Sequence, residues 1–295
     1  MEIFVQQCVN ALSLGGTYAL LALGLAVVFS VLGMINFAHG EILTITGYTV
    51  FFSLMLAVPA VLIIPLALIV AMLAAAAMER VAFRPLRGAG PTSLLITSFA
   101  VSGILQVLFQ NLISARPRPV PIPDFLTGAF TVGPFHIGVI QSLSILATLA
   151  MVGLLTLFLK RTLLGMAIRA AAVDFPTTRL MGIRANRVIL AAFAISGLLA
   201  GVSGLLWIAQ RGSVDPLMGF LPVLKAFIAA ILGGIGNLTG AVIGGFFLGA
   251  IEIGLQAALP EPVQPFRDAI ALTLVVVVLL YRPQGLFGAV HSVRP

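Results

Sequence analysis

The sequence carries little charge. Only 8% of its 295 residues are Asp, Glu, Lys or Arg, whereas 60% are hydrophobic. A soluble globular domain carries roughly 25% charged residues, so the composition excludes a soluble globule and places most of the chain in lipid. In such a chain the distribution of the formal net charge of +7 matters more than its total.

Cysteine and lysine are also scarce. Cys8 is the single cysteine, so the chain forms no intramolecular disulfide, and no Cys/His cluster has metal-ligand spacing. The two lysines, Lys160 and Lys225, do not follow a glycine, and the sequence has no G-x-x-x-x-G-K-[ST] motif. The chain is therefore not its own P-loop ATPase, and an ATP-driven step requires a partner.

Several apolar runs reach about 20 residues, the length that an α-helix needs to cross the hydrocarbon core. They predict an all-α polytopic membrane protein in which 1–295 form a single transmembrane domain with short loops. The predicted spans are 8–32, 36–56, 58–78, 92–114, 137–159, 188–210, 217–235, 238–259 and 266–281. The seventh is short and contains Lys225, so a re-entrant or broken helix is an alternative that leaves eight spans.

The basic residues fall mainly on one side of these spans. With an outside N-terminus, eleven of them, including Arg294, lie in cytoplasmic connections and four lie outside. Since cytoplasmic loops carry the excess of Lys and Arg, the N-terminus is predicted outside and the C-terminus in the cytoplasm. The Pro-rich loop 115–136 is then external and the loop 160–187 cytoplasmic. The opening MEIFVQQ has no basic residue before its apolar run, unlike a secretory signal.

Residues 160–187 combine six of the sixteen basic residues with signals for two short helices. LGMAIRAAAV predicts the first, and DFPTTRLMGI predicts the second, with Asp174 as N-cap, Pro176 in the first turn and a left-handed Gly182 at the end. One interpretation is a solvated loop that only sets topology. The other is a docking element, because several apolar side chains have no lipid to cover them: Ile168, Val173, Leu180, Met181 and Ile183.

Three ionisable residues fall inside predicted spans: Glu41, Lys225 and Glu252. Each such residue costs on the order of 2.5–3.5 kcal/mol at the centre of the bilayer, which indicates a functional role. Lys225 and Glu252 lie at similar distances from the outer ends of their spans. They therefore share a depth, and we expect them either to pair or to line one wet cavity.

Polar residues also cluster where the apolar pattern breaks, at GMINFAHGE. Asn36, His39 and Glu41 either satisfy a helix end at the membrane interface or border the translocation path on its cytoplasmic side. Asn237 has a similar position in the later block GGIGNLTG. The functional interpretation places these four residues, together with Lys225 and Glu252, along the substrate path.

The same two blocks resemble each other, and glycines recur at regular spacing in the second block and elsewhere in the chain. Residues 32–42 and 232–242 share four of eleven residues at an offset of 200, which raises the hypothesis of an internal repeat with broken helices near the pathway. Glycines at four-residue spacing predict close helix packing, within the chain or against a second subunit. They are Gly197, Gly201, Gly236, Gly240 and Gly244.

Three blocks of the sequence resemble permeases of ATP-binding-cassette importers for branched-chain amino acids. They are VLGMINFAHGEILTITGY (31–48), 160–205 with its RVILAAFAISGLLAG, and KAFIAAILGGIGNLTGAVIGG (225–245). In that family the loop corresponding to 160–187 carries a coupling helix that sits in a cleft of the ATPase subunit. The resemblance implies that this contact is made by Ala171, Asp174, Thr178, Leu180, Gly182 and Ile183.

The resemblance implies the permease subunit of an ATP-driven importer of branched-chain or other hydrophobic amino acids, in the bacterial cytoplasmic (inner) membrane. The expected partners are a second related permease subunit, cytoplasmic ATP-binding subunits that use ATP and magnesium, and an external solute-binding protein. The chain itself is expected to bind no cofactor, metal or nucleic acid and to have no catalytic residue.

Three other functions compete with this one. A permease for urea or short-chain amides is one alternative, and a stand-alone channel or secondary transporter, with Glu252 as an ion-coupling carboxylate, is another. The third is an intramembrane serine protease built on GVSG with Ser203 as nucleophile. It requires a histidine base, but His136 and His291 lie outside the spans and His39 lies towards the cytoplasmic end of another helix.

Overall fold

The computed structural model describes residues 2–132 and 135–287, so His291 and Arg294 lie outside the described residues. The helices are α1 (Glu2–Leu32), α2 (His39–Met55), α3 (Ala60–Met78), α4 (Pro91–Leu112), α5 (Asp124–Thr127), α6 (Val139–Arg161), α7 (Leu163–Val173), α8 (Phe175–Leu180), α9 (Ala185–Arg211), α10 (Phe220–Gly233), α11 (Leu238–Ala258) and α12 (Arg267–Tyr281). A π-helical turn (Glu79–Phe83) and a 3-10 turn (Arg84–Leu86) extend α3, and a 3-10 turn (Glu261–Phe266) precedes α12. The strands are β1 (Arg118–Pro119), β2 (Ala129–Val132), β3 (Phe135–Gly138) and β4 (Ser213–Val214).

Seven helices of the described part of the chain are long and apolar enough to cross a membrane: α1, α3, α4, α6, α9, α11 and α12 with its preceding turn. The predicted all-α polytopic fold is therefore confirmed. The spans predicted at 36–56 and 217–235 are shorter helices, because α2 has 17 residues and α10 has 14. At about 1.5 Å per residue, α10 is about 21 Å long, less than the hydrocarbon core of about 30 Å.

Helix α1 forms the centre of the bundle. Its residues 15–28 are almost all buried on every face, as expected of a helix that is hydrophobic all round. It packs against α11, α9, α10 and α6, while α9 packs against α3 on its other side. The outer helices α4, α6 and α12 instead expose apolar side chains, as helices in contact with lipid or with another apolar surface do.

Small residues set the closest helix contacts. Gly197 and Gly201 of α9 lie against Ala71 of α3. In the α10–α11 hairpin, Gly240 lies against Gly233, and Gly244 of α11 lies against Ala229 of α10. Four of the five predicted packing glycines therefore lie against a neighbouring helix of this chain.

Gly236 is the exception. It lies in the turn between α10 and α11 with a φ of +85°, and its nearest neighbour is the Phe29 ring at 3.9 Å. Its glycine identity is explained by the left-handed backbone, which disfavours a Cβ, so the predicted packing role is wrong. The sequence analysis missed another close contact, in which Gly245 and Gly249 of α11 meet α1 at Ala19 and Gly15.

The two short helices meet at their N-terminal ends. Gly40 in the first turn of α2 and Gly219, which precedes α10, are buried against each other, backbone to backbone. The blocks proposed as a repeat have related shapes: a helix ends, a short break follows, and a second helix begins. A left-handed glycine follows the first helix in each block, Gly33 in one and Gly234 in the other.

Candidate functional site

A buried ion cluster joins three helices. Lys225 projects from α10, and its Nζ lies 2.8 Å from Glu252 Oε1 of α11 and 3.1 Å from Asp268 Oδ1 at the start of α12. Lys225 is 7% exposed and Glu252 is 1% exposed. The sequence predicted that Lys225 and Glu252 either pair or line one wet cavity, and the structure brings them into contact.

Tyr18 of α1 completes this cluster. Its hydroxyl donates a hydrogen bond to Glu252 Oε2 over 3.1 Å and accepts one from Lys225 Nζ over 3.4 Å. The carboxylate of Glu252 therefore has a partner for each oxygen. A buried charge is tolerated when it is paired and hydrogen-bonded, so Tyr18, Lys225 and Glu252 hold one another in place.

The cluster forms one wall of a cavity of about 270 Å³, close to the lower end of the range of roughly 300–1,000 Å³ for small-molecule sites. Three cationic and three anionic side chains line it: Arg211, Lys225, Arg267, Asp215, Glu252 and Asp268. Apolar side chains line the rest, among them Leu14, Trp207, Leu217, Met218 and Leu221. The cavity therefore combines balanced charges with an apolar surface.

The cavity lies at the end of the bundle that carries the Pro-rich segment. Arg118 and Pro119 of β1 pair with β4, which directly follows α9. The last residue of α9 is Arg211, whose guanidinium stacks on the Trp207 ring with Cζ 4.2 Å from the centroid. Stacking leaves the edge of the guanidinium free to bind a carboxylate in the planar, bidentate way that arginine favours.

This combination suits a small zwitterion with an apolar side chain. Arg211 matches a carboxylate and Asp215 matches an ammonium group, since neither takes part in an ion pair of the described residues. The apolar lining buries hydrocarbon, which contributes about 25 cal/mol per Å². Among residues 2–132 and 135–287, no three His, Cys, Asp or Glu side chains are grouped as a metal ion requires.

Glu41 lies away from this cavity, between α2 and α4. It is fully buried, and its Oε1 accepts hydrogen bonds from Ser102 Oγ and Gln106 Nε2, both at 2.8 Å. No basic group of the described residues lies within ion-pair distance of it. Glu41 is thus hydrogen-bonded by α4, and its place on the substrate path remains a prediction.

The other predicted polar residues are scattered. His39 Nδ1 lies 3.1 Å from Ser196 Oγ of α9, and Asn36 is buried in the break before α2. Asn237 caps α11 by accepting from the Gly240 backbone N–H, and it donates to the carbonyl of Phe287. Asn237 therefore satisfies a helix end, which fits the first interpretation of this residue better than a position along the substrate path.

Ser203 has a structural partner. Its hydroxyl donates to the Thr17 carbonyl over 3.1 Å, whereas the His39 ring bonds Ser196. Among the described side chains, Ser203 therefore lacks the contact with a histidine base that a serine protease requires.

The opposite end of the bundle carries α7 and α8, which the sequence predicted. Asp174 caps α8 by accepting the Thr177 backbone N–H over 3.0 Å, and Gly182 adopts a φ of +81° after it. Hydrogen bonds from the side chain and the backbone of Thr177 hold the pKa of Asp174 below its usual range. The predicted N-cap and left-handed glycine are thus confirmed.

The exposed surface of these helices differs in part from the prediction. Val173, Leu180 and Met181 are 79–89% exposed, and Asp174 and Gly182 are also exposed, while Ile183 is half-buried. Three residues point inward instead: Ile168, Ala171 and Thr178. The prediction of an apolar surface at Ile168 is therefore wrong, because this side chain packs within the chain. Ala171 and Thr178 are also buried, and their contact with a partner stays a prediction.

Of the residues that line the cavity, the sequence analysis identified only Lys225 and Glu252, and it missed among others Tyr18, Trp207, Arg211 and Asp268. Tyr18 and Trp207 stand in apolar runs, and Arg211 and Asp268 stand at predicted helix ends, where ordinary interfacial residues are common. One signal was present, since the chain has a single Trp and three Tyr, and such polar aromatics seek hydrogen-bond partners when buried.

Comparison with known proteins places this chain among transport proteins. Residues 7–280 match the family described as "branched-chain amino acid transport system / permease component". The chain is 38% identical to the high-affinity branched-chain amino acid transport system permease protein BraD of Pseudomonas aeruginosa, with 97% of this chain and 96% of that protein covered. The corresponding protein LivH of Salmonella typhimurium is 35% identical, again over 97% and 96%. A probable LivH of Methanocaldococcus jannaschii is 29% identical over 91% and 88%.

Proposed function

Since the chain belongs to the family of branched-chain amino acid transport permease components, we propose that it is the membrane-spanning subunit of an ATP-driven importer. Its cargo is a branched-chain or other hydrophobic amino acid. The observation that carries this proposal is the cavity of α1, α9, α10, α11 and α12, which pairs opposite charges with an apolar lining.

The same cavity favours an amino acid over the alternatives. Urea and short amides carry no ionic group, so they would leave Arg211 and Asp215, the charged lining residues outside the ion pairs of the described residues, without a matching ligand. A stand-alone channel or a secondary transporter would leave the exposed α7–α8 surface without a purpose. Glu252, the carboxylate proposed for ion coupling, is already neutralised by Lys225 at 2.8 Å.

The motor contact in this proposal is formed by α8 and the residues that follow it. Leu180 is 86% exposed and Met181 is 79% exposed, and Gly182 gives the segment its sharp turn. Such a short apolar projection fits a groove on a partner protein. ATP-driven closure of ATPase subunits, which bind ATP and magnesium, would move α7 and α8 and rock the bundle between outward-open and inward-open states.

The proposed orientation follows from the two ends of the bundle. Arg87, Arg179, Arg184 and Arg187 gather at the α7–α8 end, and an excess of basic residues marks the cytoplasmic side. The cavity end then faces outward, where an external solute-binding protein would deliver the cargo. A second related permease subunit and a bacterial inner-membrane location complete the proposal.

The motor contact is tested by purification of tagged protein from its native membranes in mild detergent. We expect a P-loop ATPase to co-purify with the wild-type chain and to hydrolyse ATP. The double variant Leu180→Asp/Met181→Asp should retain at most about one tenth of this partner, because two charges are placed in an apolar contact. The bound ATPase is measured by mass spectrometry and by its activity.

The matched control is Phe125→Asp, an equally drastic change at an exposed position, 72% accessible, on the cavity end of the molecule. It should retain the ATPase. A wild-type chain that purifies alone, or a Leu180→Asp/Met181→Asp variant that keeps its full complement of ATPase, would contradict the proposed contact.

A further inference from the structure

A large basic recess lies at the α7–α8 end of the bundle, between α8 and the ends of α1 and α9. Its volume is about 830 Å³. Four arginines line it, from three separate segments: Arg87, Arg179, Arg184 and Arg187. Arg179, Arg184 and Arg187 are close together in sequence, and the fold brings Arg87, from the turn after α3, to the same cavity.

Most of this charge is unmatched. The ion pairs of residues 2–132 and 135–287 involve Arg87, Lys225 and Arg267, so Arg179, Arg184 and Arg187 have no carboxylate within ion-pair distance. Like charges held around one cavity repel each other. An anion bound between them would reduce this repulsion.

One of the arginines is fixed in place. The Arg87 guanidinium pairs with the buried carboxylate of Glu79 and donates to Asn186 Oδ1. This bond ties the turn after α3 to the first turn of α9. A rigid guanidinium loses little side-chain freedom when it binds a ligand, which favours affinity.

The N-terminus of α9 adds to the positive electrostatic potential of the recess. This helix of 27 residues begins at Ala185, inside the recess, and no side chain caps it. The first backbone N–H groups of a helix have no acceptor within the helix, and the helix dipole favours an anion there. Apolar residues complete the wall: Val31, Leu32, Phe175 and Ile189.

We infer that this recess is a binding site for a phosphate group. Guanidinium groups bind phosphate oxygens bidentately, and a helix N-terminus supplies further N–H donors. The phosphate belongs either to the headgroup of an anionic phospholipid or to a free phosphate compound, since both present the same oxygens. No residue of the proposed substrate cavity takes part, so the site is separate from it.

The site gives the chain a means of regulation. Arg179 belongs to α8, whereas Arg184 and Arg187 flank the start of α9 and Arg87 is anchored to Glu79. Helix α8 packs chiefly against α7, so a phosphate that bridges these arginines fixes α8 to the bundle. Phosphate binding thereby sets the position of the segment that we propose contacts the motor.

The test uses the purified full-length chain in nanodiscs of phosphatidylcholine, with or without phosphatidylglycerol, and with or without added inorganic pyrophosphate. Binding is measured by native mass spectrometry for the lipid and by calorimetry for pyrophosphate. The variant Arg184→Gln/Arg187→Gln should bind its phosphate ligand at least about tenfold more weakly, because it loses two charge-assisted hydrogen-bond donors. Arg169→Gln/Arg282→Gln, which removes two exposed arginines outside the recess, is the matched control.

Arginine-dependent binding of phosphatidylglycerol assigns the site to a lipid headgroup, and arginine-dependent binding of pyrophosphate assigns it to a free phosphate compound. Either result supports the phosphate site. Absence of binding by the wild type, or equal losses in the two double variants, would overturn it. Since no ATPase or substrate is present, these outcomes do not depend on the proposed transport function.

Discussion

Lys225→Met is expected to lower the free energy of unfolding by about 3–5 kcal/mol, the range for removal of one partner from a buried ion pair. The loss is large because Glu252 is 1% exposed and would keep a charge without a counter-ion. We expect the variant to unfold at a markedly lower mole fraction of SDS in mixed micelles. Lys160→Met, which removes the other lysine of the chain at an exposed position, should change little.

The double variant Lys225→Met/Glu252→Met shows whether the loss of stability comes from the broken ion pair or from the loss of each side chain by itself. It should be much closer in stability to the wild type than either single variant, because both buried charges are gone and Asp268, with a 43% exposed side chain, remains in contact with water. Strictly additive losses from the two single changes would show that Lys225 and Glu252 do not stabilise each other.

Gly249→Ala is the second change with a large expected effect, about 3 kcal/mol of destabilisation. A Cβ at this position meets backbone atoms of Gly15 in α1, and a backbone cannot rotate away as a side chain can. Overpacking of a close-packed interior costs typically 1–3 kcal/mol, and more where the neighbours are rigid. The same SDS titration measures it.

A second glycine of α11 provides the control. A Cβ at Gly254 meets nothing within 4 Å, so Gly254→Ala should stabilise the helix by up to about 1 kcal/mol through helix propensity. Opposite signs for the two substitutions are the expected result. Equal effects at Gly249 and Gly254 would mean that α1 and α11 are not in backbone contact.

Local features of the fold followed from the sequence. The turn chemistry of Asp174, Pro176 and Gly182 defined α8 because N-caps and left-handed glycines depend only on neighbouring residues. The helices that are long enough to span a membrane were predicted for the same reason, because an apolar run is also a local feature of the sequence. The short α10 agrees with the broken-helix alternative given for 217–235, whereas the short α2 was not predicted, because an apolar run continues through a break as well as through a helix.

Long-range contacts were harder to predict. Matching depths placed Lys225 beside Glu252, but they did not identify Tyr18, since depth leaves the rotation of each helix open. With 30 glycines in the chain, spacing alone did not distinguish Gly249, which contacts α1, from Gly236, which forms a turn. The basic recess was equally hidden, because Arg87 comes from a different loop than its three neighbours.

We propose above all that this chain carries hydrophobic amino acids in a motor-driven importer. The most direct measurement is uptake of radiolabelled leucine by proteoliposomes that contain the purified complex and the external solute-binding protein, with and without ATP on the motor side. We expect leucine to accumulate against its gradient only when ATP is present. Valine and isoleucine should compete with this uptake, whereas urea and acetamide should not. Two results would contradict this function: leucine that equilibrates equally well without ATP, or a complex that takes up urea-type solutes but not leucine.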